Sequence, residues 1–276
     1  MASISALYVY PIKSCGGIRY DRAELSHRGL AHDRQWMVVD PLGQLITQRE
    51  TPQMALIHPT LTDSEMILTA PDMQPLHIPL QTGDGARREV VVWKDVCTAV
   101  DEGEAAAVWF SQVMGVPAAL VKMADDFHRL TSADYTETAS DVGFADGYPI
   151  LFISEASLVD LNTRLTAKGS QAVPMTRFRP NVIITDCEPY AEDTWTHVSI
   201  GGVRFDVVKP CARCVMTTVD PATGTIPDVK EPLATLASYR RGTNGGAMFG
   251  QNIIHRGLGS LSVGDVIVLS EEKARE

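Results

Sequence analysis

Cysteine is scarce, with five residues in 276: Cys15, Cys97, Cys187, Cys211 and Cys214. An odd number at scattered spacing excludes the disulfide framework of a small secreted domain. Long apolar runs are missing too. The stretch Ile150 to Ile153 is among the longest, far short of the roughly 20 residues of a membrane-spanning helix. Met1 to Tyr10 lacks a basic segment followed by an apolar one, so it does not read as a secretory signal. Positive charge is in deficit: 24 Lys and Arg face 34 Asp and Glu, a formal net charge of −10. That argues against a nucleic-acid polymer or an anionic membrane as partner. No G-x-G-x-x-G follows a strand-like run, so no dinucleotide fingerprint is present. These absences leave a soluble protein of a reducing, cytoplasmic compartment. It is long enough for two small domains.

What is present is mostly short strand-like runs bounded by turn residues. They cover Ser3 to Ile12, Gly17 to Leu25, Gln35 to Asp40, Leu45 to Gln48, Met66 to Thr69, Glu89 to Trp93 and Ala118 to Lys122. Asp40-Pro41-Leu42-Gly43 has the residues of a type I turn. Gly201-Gly202, between Val198 to Ile200 and Val203 to Val208, signals a hairpin. Asp220 to Gly224 is a tight turn after an expected strand, Val215 to Val219, and Asp265 to Leu269 reads as a closing strand.

Helices are few. One is expected over Asp101 to Met114, stopped by Gly115 and Pro117. The clearest is Glu155 to Lys168, capped by Ser154 and ended by Gly169, with Leu158, Leu161 and Leu165 on one face. A third starts near Pro232 and ends at Gly242. Residues 124 to 145 are polar without a period and read as a loop that folds over a site. The fold class expected is mainly β (α+β), with domains at 1–122 and 123–276, each built of short strands in the manner of a barrel.

Cys211-Ala-Arg-Cys214 leaves several readings open. Half a zinc site lacks a second C-x-x-C or His pair. A redox dithiol of the thioredoxin kind opens a helix, whereas a strand-like run follows here. A single thiolate can bind a soft or high-valent metal, with Arg213 and Lys209 to stabilise its charge. Two small half-buried cysteines at a strand start fit equally well. Basic residues recur beside turn breakers: Lys13-Ser14 after Pro11, Arg34 after His32-Asp33, and Arg179 before Pro180-Asn181. The residue before proline is pushed towards an extended backbone, so Arg179 should stand off an edge. Arg, Lys, Ser and Asn are side chains that bind phosphate. Taken singly, each is more often an ordinary solvated charge.

The set of segments is more specific than any one. Tyr10 to Cys15, Gly29 to Trp36, Phe178 to Asn181 and Lys209 to Pro221 together resemble the MOSC family, named for the C-terminal domain of molybdenum cofactor sulfurase. Within it the chain looks like the mitochondrial amidoxime-reducing component and its bacterial relatives. Asp146 to Pro149, Ser154 to Leu158, Ala191 to Trp195, Lys230 to Leu233 and Phe249 to Asn252 extend the likeness over nearly the whole chain.

The resemblance implies an N-terminal β-rich domain, a MOSC β-barrel, and the molybdenum cofactor (molybdenum on the dithiolene of a molybdopterin) between them. It makes Cys214 the metal ligand and catalytic thiolate, and leaves Cys211 without that role. Lys13, Ser14, Arg34, Arg179, Asn181 and Arg213 match positions that contact the pterin, and Asp146, Gly147 and Tyr148 match a loop that does. Gly147 and Tyr148 depart from hydroxylated residues in animal members, so only backbone contacts carry over there.

The implied reaction is reduction of N-hydroxylated compounds: amidoximes, hydroxylamines and N-hydroxylated nucleobases. Neither the ferredoxin domain of many bacterial relatives nor the membrane segment of animal ones is seen. A separate electron-donor protein, of ferredoxin or flavin type, is therefore expected. The other reading is a carrier that transfers sulfur through a Cys214 persulfide.

Overall fold

The computed structural model describes residues 1–81, 85–136, 138–243 and 245–272. Strands dominate, with three α-helices among these residues: α1 (Glu104–Met114), α2 (Glu155–Ala167) and α3 (Leu233–Tyr239). None is long and apolar enough to cross a membrane.

The largest sheet has eight strands. From one edge to the other they are Val268–Glu272, Trp195–Ile200, Val203–Arg213, Ala247–His255, Ile150–Ser154, Val182–Thr185, Ser3–Val9 and Ile18–Tyr20. The strand Ile150–Ser154 is buried along its whole length, which explains its unbroken apolar run. Ile150 and Phe152 face a core with Leu7, Val198 and Phe205, while Leu151 and Ile153 face one with Leu161 and Leu165 of α2, Leu236 of α3 and Phe249. Ser154 caps α2 by accepting from the Ser157 amide at 3.0 Å, a contact that contributes about 1 kcal/mol. Gly201 and Gly202 close their hairpin at φ +57° and +79°, with Ile200 paired to Val203.

The strand Ser3–Val9 lies inside this sheet, antiparallel to Val182–Thr185. Arg22–Ser26 pairs with Gly259–Ser262 in a separate small sheet. Ile4, Leu7, Val9, Ala23, Leu25 and Leu30 thus share a core with residues 150–267. Residues 36–123 build most of a different pair of cores, joined by Ile12 and Cys15 in one and Phe144 in the other, one on each face of a four-stranded sheet ordered Trp36–Val39, Ala119–Met123, Asp95–Asp101 and Arg87–Val92. Side chains of Trp36–Val39 alternate between the two, Trp36 and Val38 towards α1 and Met37 and Val39 towards Phe144, as a period of two requires.

Three local expectations change. Val215–Thr218 is a 3-10 turn, not a strand. The strand instead runs before Cys214, through Val203–Arg213. The Thr217 hydroxyl then bonds back to the Cys214 carbonyl at 3.0 Å and the Thr218 hydroxyl to that of Val215 at 2.7 Å. That local bonding overrides the strand preference of Val and Thr. Leu45 to Gln48 makes only an isolated bridge, Leu45 to Val39. Arg179 is left-handed, φ +53° and ψ +47°, and ends the 3-10 turn Met175–Phe178. Proline disfavours the right-handed helical region for the residue before it; the left-handed one is a second way out, and here it turns the side chain inward.

Candidate functional site

A cleft opens where residues 31–35 and 124–149 cross between the two lobes. Arg34 anchors the crossing: its amide donates to the Tyr10 carbonyl at 2.8 Å, and its carbonyl accepts from the Phe144 amide at 2.7 Å. Nine residues singled out from the sequence line this cleft: Lys13, Ser14, Arg34, Asp146, Gly147, Tyr148, Arg179, Asn181 and Arg213. Cys214 does not line it, whereas Cys211 does. Cys214 is half-buried at the start of the 3-10 turn, between the lining residues Arg213 and Met216.

The deep wall is built by mutual support. Asn181 spends all its polar capacity on position. Its amide nitrogen donates to the Tyr8 carbonyl at 3.1 Å and to Asp33 at 2.9 Å, and its oxygen accepts from Arg34 at 3.0 Å and from the Leu151 amide at 3.1 Å. Asp33 pairs with Arg34 at 2.6 Å. Arg34 also donates to the Arg179 carbonyl at 3.1 Å. The Tyr10 ring lies 4.5 Å from the Arg34 guanidinium and 4.2 Å from that of Arg179. Arg179 donates to the Cys15 carbonyl, and Arg213 to the Phe178 carbonyl at 2.7 Å and the Cys211 sulfur at 2.9 Å.

This wall is short of negative charge. Burial first, and the like charge of Arg34 next, disfavour the charged form of Arg179, yet a guanidinium stays protonated. Nη2 of Arg179 and Nε of Arg213 are buried with no hydrogen-bond partner among the described residues. Such orphaned donors cost about 1–3 kcal/mol each, more when charged, so the cleft is prepared for an anion. Lys13 is neutralised differently: its ammonium meets Asp146 at 2.5 Å and the Phe144 carbonyl at 2.7 Å. Burial pulls the Lys13 pKa down against that pairing. Burial would raise the Asp146 carboxyl, but Lys13 and the Trp93 N–H outweigh it and hold it below the usual carboxylate range.

Ser14, Arg34, Trp93 and Arg179, all in the cleft, have positive φ without being glycine. Each costs about 1–2 kcal/mol. Strained backbone of this kind concentrates where function fixes a side chain.

Family models match the two parts of the chain: the MOSC N-terminal beta barrel domain at residues 1–117 and the MOSC domain at residues 139–268. The chain is 36% identical to mitochondrial amidoxime reducing component 2 of Bos taurus, over 97% of this chain and 83% of that protein. It is 35% identical to mitochondrial amidoxime-reducing component 1 of Homo sapiens, over 98% and 83%. This chain belongs to the MOSC family. It is also 35% identical to molybdenum cofactor sulfurase of Solanum lycopersicum, over 90% of this chain but 32% of that larger protein.

Within this MOSC chain, reasoning from sequence missed Thr47, Arg49, Trp93, Cys211, Met216 and Asn252 as lining residues. Thr47, Arg49 and Trp93 reach the cleft from the other lobe, by docking at long range. One local signal was available: Trp93-Lys94 separates two alternating runs without a turn-forming residue. A tryptophan in place of the usual Gly or Asn at a hairpin tip marks a position held for its side chain.

Proposed function

We propose that the protein is a molybdenum-cofactor-dependent oxidoreductase that reduces N-hydroxylated compounds such as amidoximes and hydroxylamines. The observation that carries this reading is the pair of orphaned guanidinium nitrogens, Arg179 Nη2 and Arg213 Nε, in a cleft between the lobes. They suit the terminal phosphate of a pterin cofactor, whose oxygens accept charge-assisted hydrogen bonds from guanidinium nitrogens. The names of the amidoxime-reducing relatives supply the reaction class.

In this reading Arg179 and Arg213 hold the phosphate and Arg34 orients Arg179. Lys13, Ser14, Asn181 and the Asp146–Tyr148 loop position the pterin. The Cys214 thiolate is the protein's ligand to molybdenum. It is half-buried at the start of the 3-10 turn, between the lining residues Arg213 and Met216. The bound cofactor supplies two-electron reduction of N–OH to N–H and water, with two protons taken up. The protein's own contribution is orientation and charge complementarity. Electrons come from a separate ferredoxin-type or flavin protein, and the enzyme acts in the cytoplasm.

The test is elemental analysis of the purified chain together with benzamidoxime reduction by an artificial electron donor. About one molybdenum per chain with turnover supports the reading; comparable zinc without molybdenum removes it. The match to molybdenum cofactor sulfurase favours one alternative, transfer of sulfur through a Cys214 persulfide. In that case the chain carries cyanide-releasable sulfur and reduces no amidoxime.

A further inference from the structure

Five cationic residues and a single carboxylate line the cleft, in a chain of net charge −10. Lys13 and Arg34 have carboxylate partners in Asp146 and Asp33. Arg179 and Arg213 carry the orphaned nitrogens assigned above to the cofactor phosphate. Arg49 is left over. Among the described residues its guanidinium makes no hydrogen bond or ion pair. Instead it lies 4.2 Å from the centre of the Trp93 ring.

Trp93 is fixed as a platform. It occupies the first position of a two-residue hairpin turn, between the paired residues Val92 and Asp95, at φ +57°. Its indole N–H donates to Asp146 at 3.1 Å, which ties the hairpin of one lobe to a loop of the other. It remains 40% exposed, while Trp36, Trp109 and Trp195 are all buried. A guanidinium held over an indole face by its central carbon still has in-plane donors that the ring does not use. The contact localises the fork and leaves it free to meet a carboxylate with two parallel hydrogen bonds.

We propose that Arg49, oriented by Trp93, binds a carboxylate on the substrate and makes the enzyme select anionic N-hydroxylated compounds over neutral ones. The substrate class rests on the reductase reading; the anion preference rests on the geometry of Arg49 and Trp93. The site is a specificity device contributed by the N-terminal lobe, beside Lys13 and Asp146, which the Trp93 ring and its N–H touch.

The experiment compares benzamidoxime with 4-carboxybenzamidoxime on the cofactor-loaded protein. Without an electron donor nothing turns over, and tryptophan emission reports binding, because Trp93 is the exposed indole. Wild type should bind the carboxylated compound about ten- to a hundredfold more tightly, the range of a charge-assisted hydrogen bond. In Arg49→Met the ratio of the two dissociation constants should collapse towards one, and Arg49→Lys should restore part of it. With a donor added, the KM values should follow the same order. Equal binding of both compounds by wild type overturns the proposal, as does an Arg49→Met variant that weakens both alike. Loss of molybdenum from Arg49→Met also overturns it, by assigning Arg49 to the cofactor. If loaded wild type reduces neither compound, the reductase reading fails, and the titration still decides the anion preference.

Discussion

Arg179 and Arg49 are guanidiniums in one cleft, held in opposite ways. Arg179 is 8% exposed and is enclosed by the Tyr10 ring, the Cys15 carbonyl and the Arg34 side chain. Arg49 is half-buried and leans on one ring. The first belongs to a cross-bonded wall, the second to a turn that leans on the tip of a hairpin docked from the other lobe. A fully enclosed charge demands a permanent counter-ion, since leaving it unpaired costs stability. A charge at the rim stays solvated when the cleft is empty, so it can choose among ligands that come and go. The deep wall suits a resident cofactor and the rim suits a passing substrate.

The sharpest way to break this contrast is at the two cysteines, which sit at the boundary of the deep wall. Cys214→Ala should abolish N-reduction, whether or not pterin stays bound. Cys211→Ser should keep most of it, although Cys211 lines the cleft and accepts from Arg213. Steady-state turnover and molybdenum content of both variants decide the matter. A dead Cys211→Ser beside an active Cys214→Ala would exchange their roles.

A smaller effect is expected inside the deep wall. Arg179→Ala should weaken cofactor retention by about ten- to a hundredfold, the worth of a charge-assisted hydrogen bond. Molybdenum per chain after dialysis measures it, and unchanged loading would remove Arg179 from the cradle.

At the rim the expected change in stability is smallest. Trp93→Gly relieves about 1–2 kcal/mol of left-handed strain while losing the contact with Arg49, about 0.5–1 kcal/mol at a partly exposed site, and the N–H bond to Asp146, about 1 kcal/mol at an exposed site. The urea midpoint should therefore stay level or fall slightly even as discrimination by charge is lost. A clear fall in the midpoint would make Trp93 a structural residue.

The same contrast separates what the sequence revealed from what it hid. The Gly201-Gly202 hairpin, the Ser154 cap and the glycine stop after α1 were legible because each is set by a backbone requirement within a few residues. Nine lining residues were legible through family-like segments, and the structure brings those segments to one cleft. Arg49 and Trp93 were not, since their place depends on how two lobes dock. The turn after Cys214 was misread because Val and Thr suit a strand, and nothing in the composition shows their hydroxyls bonding backward. Arg179 defied its proline neighbour for a similar reason: its conformation is set by what surrounds it in space.

The position of Ser3–Val9 inside the eight-stranded sheet has a consequence for the order of assembly. Ser3–Val9 leaves the ribosome just before Ile18–Tyr20 but long before Val182–Thr185, so its two partners arrive on very different schedules. The segment 36–123 supplies most of two cores and can collapse while Ser3–Val9 waits at one edge of an unfinished sheet. Such a wait leaves backbone donors and acceptors open to other chains. Synthesis slowed between residues 123 and 182 would lengthen that exposure, and a nascent chain stalled there should aggregate through Ser3–Val9 rather than through the lobe already folded.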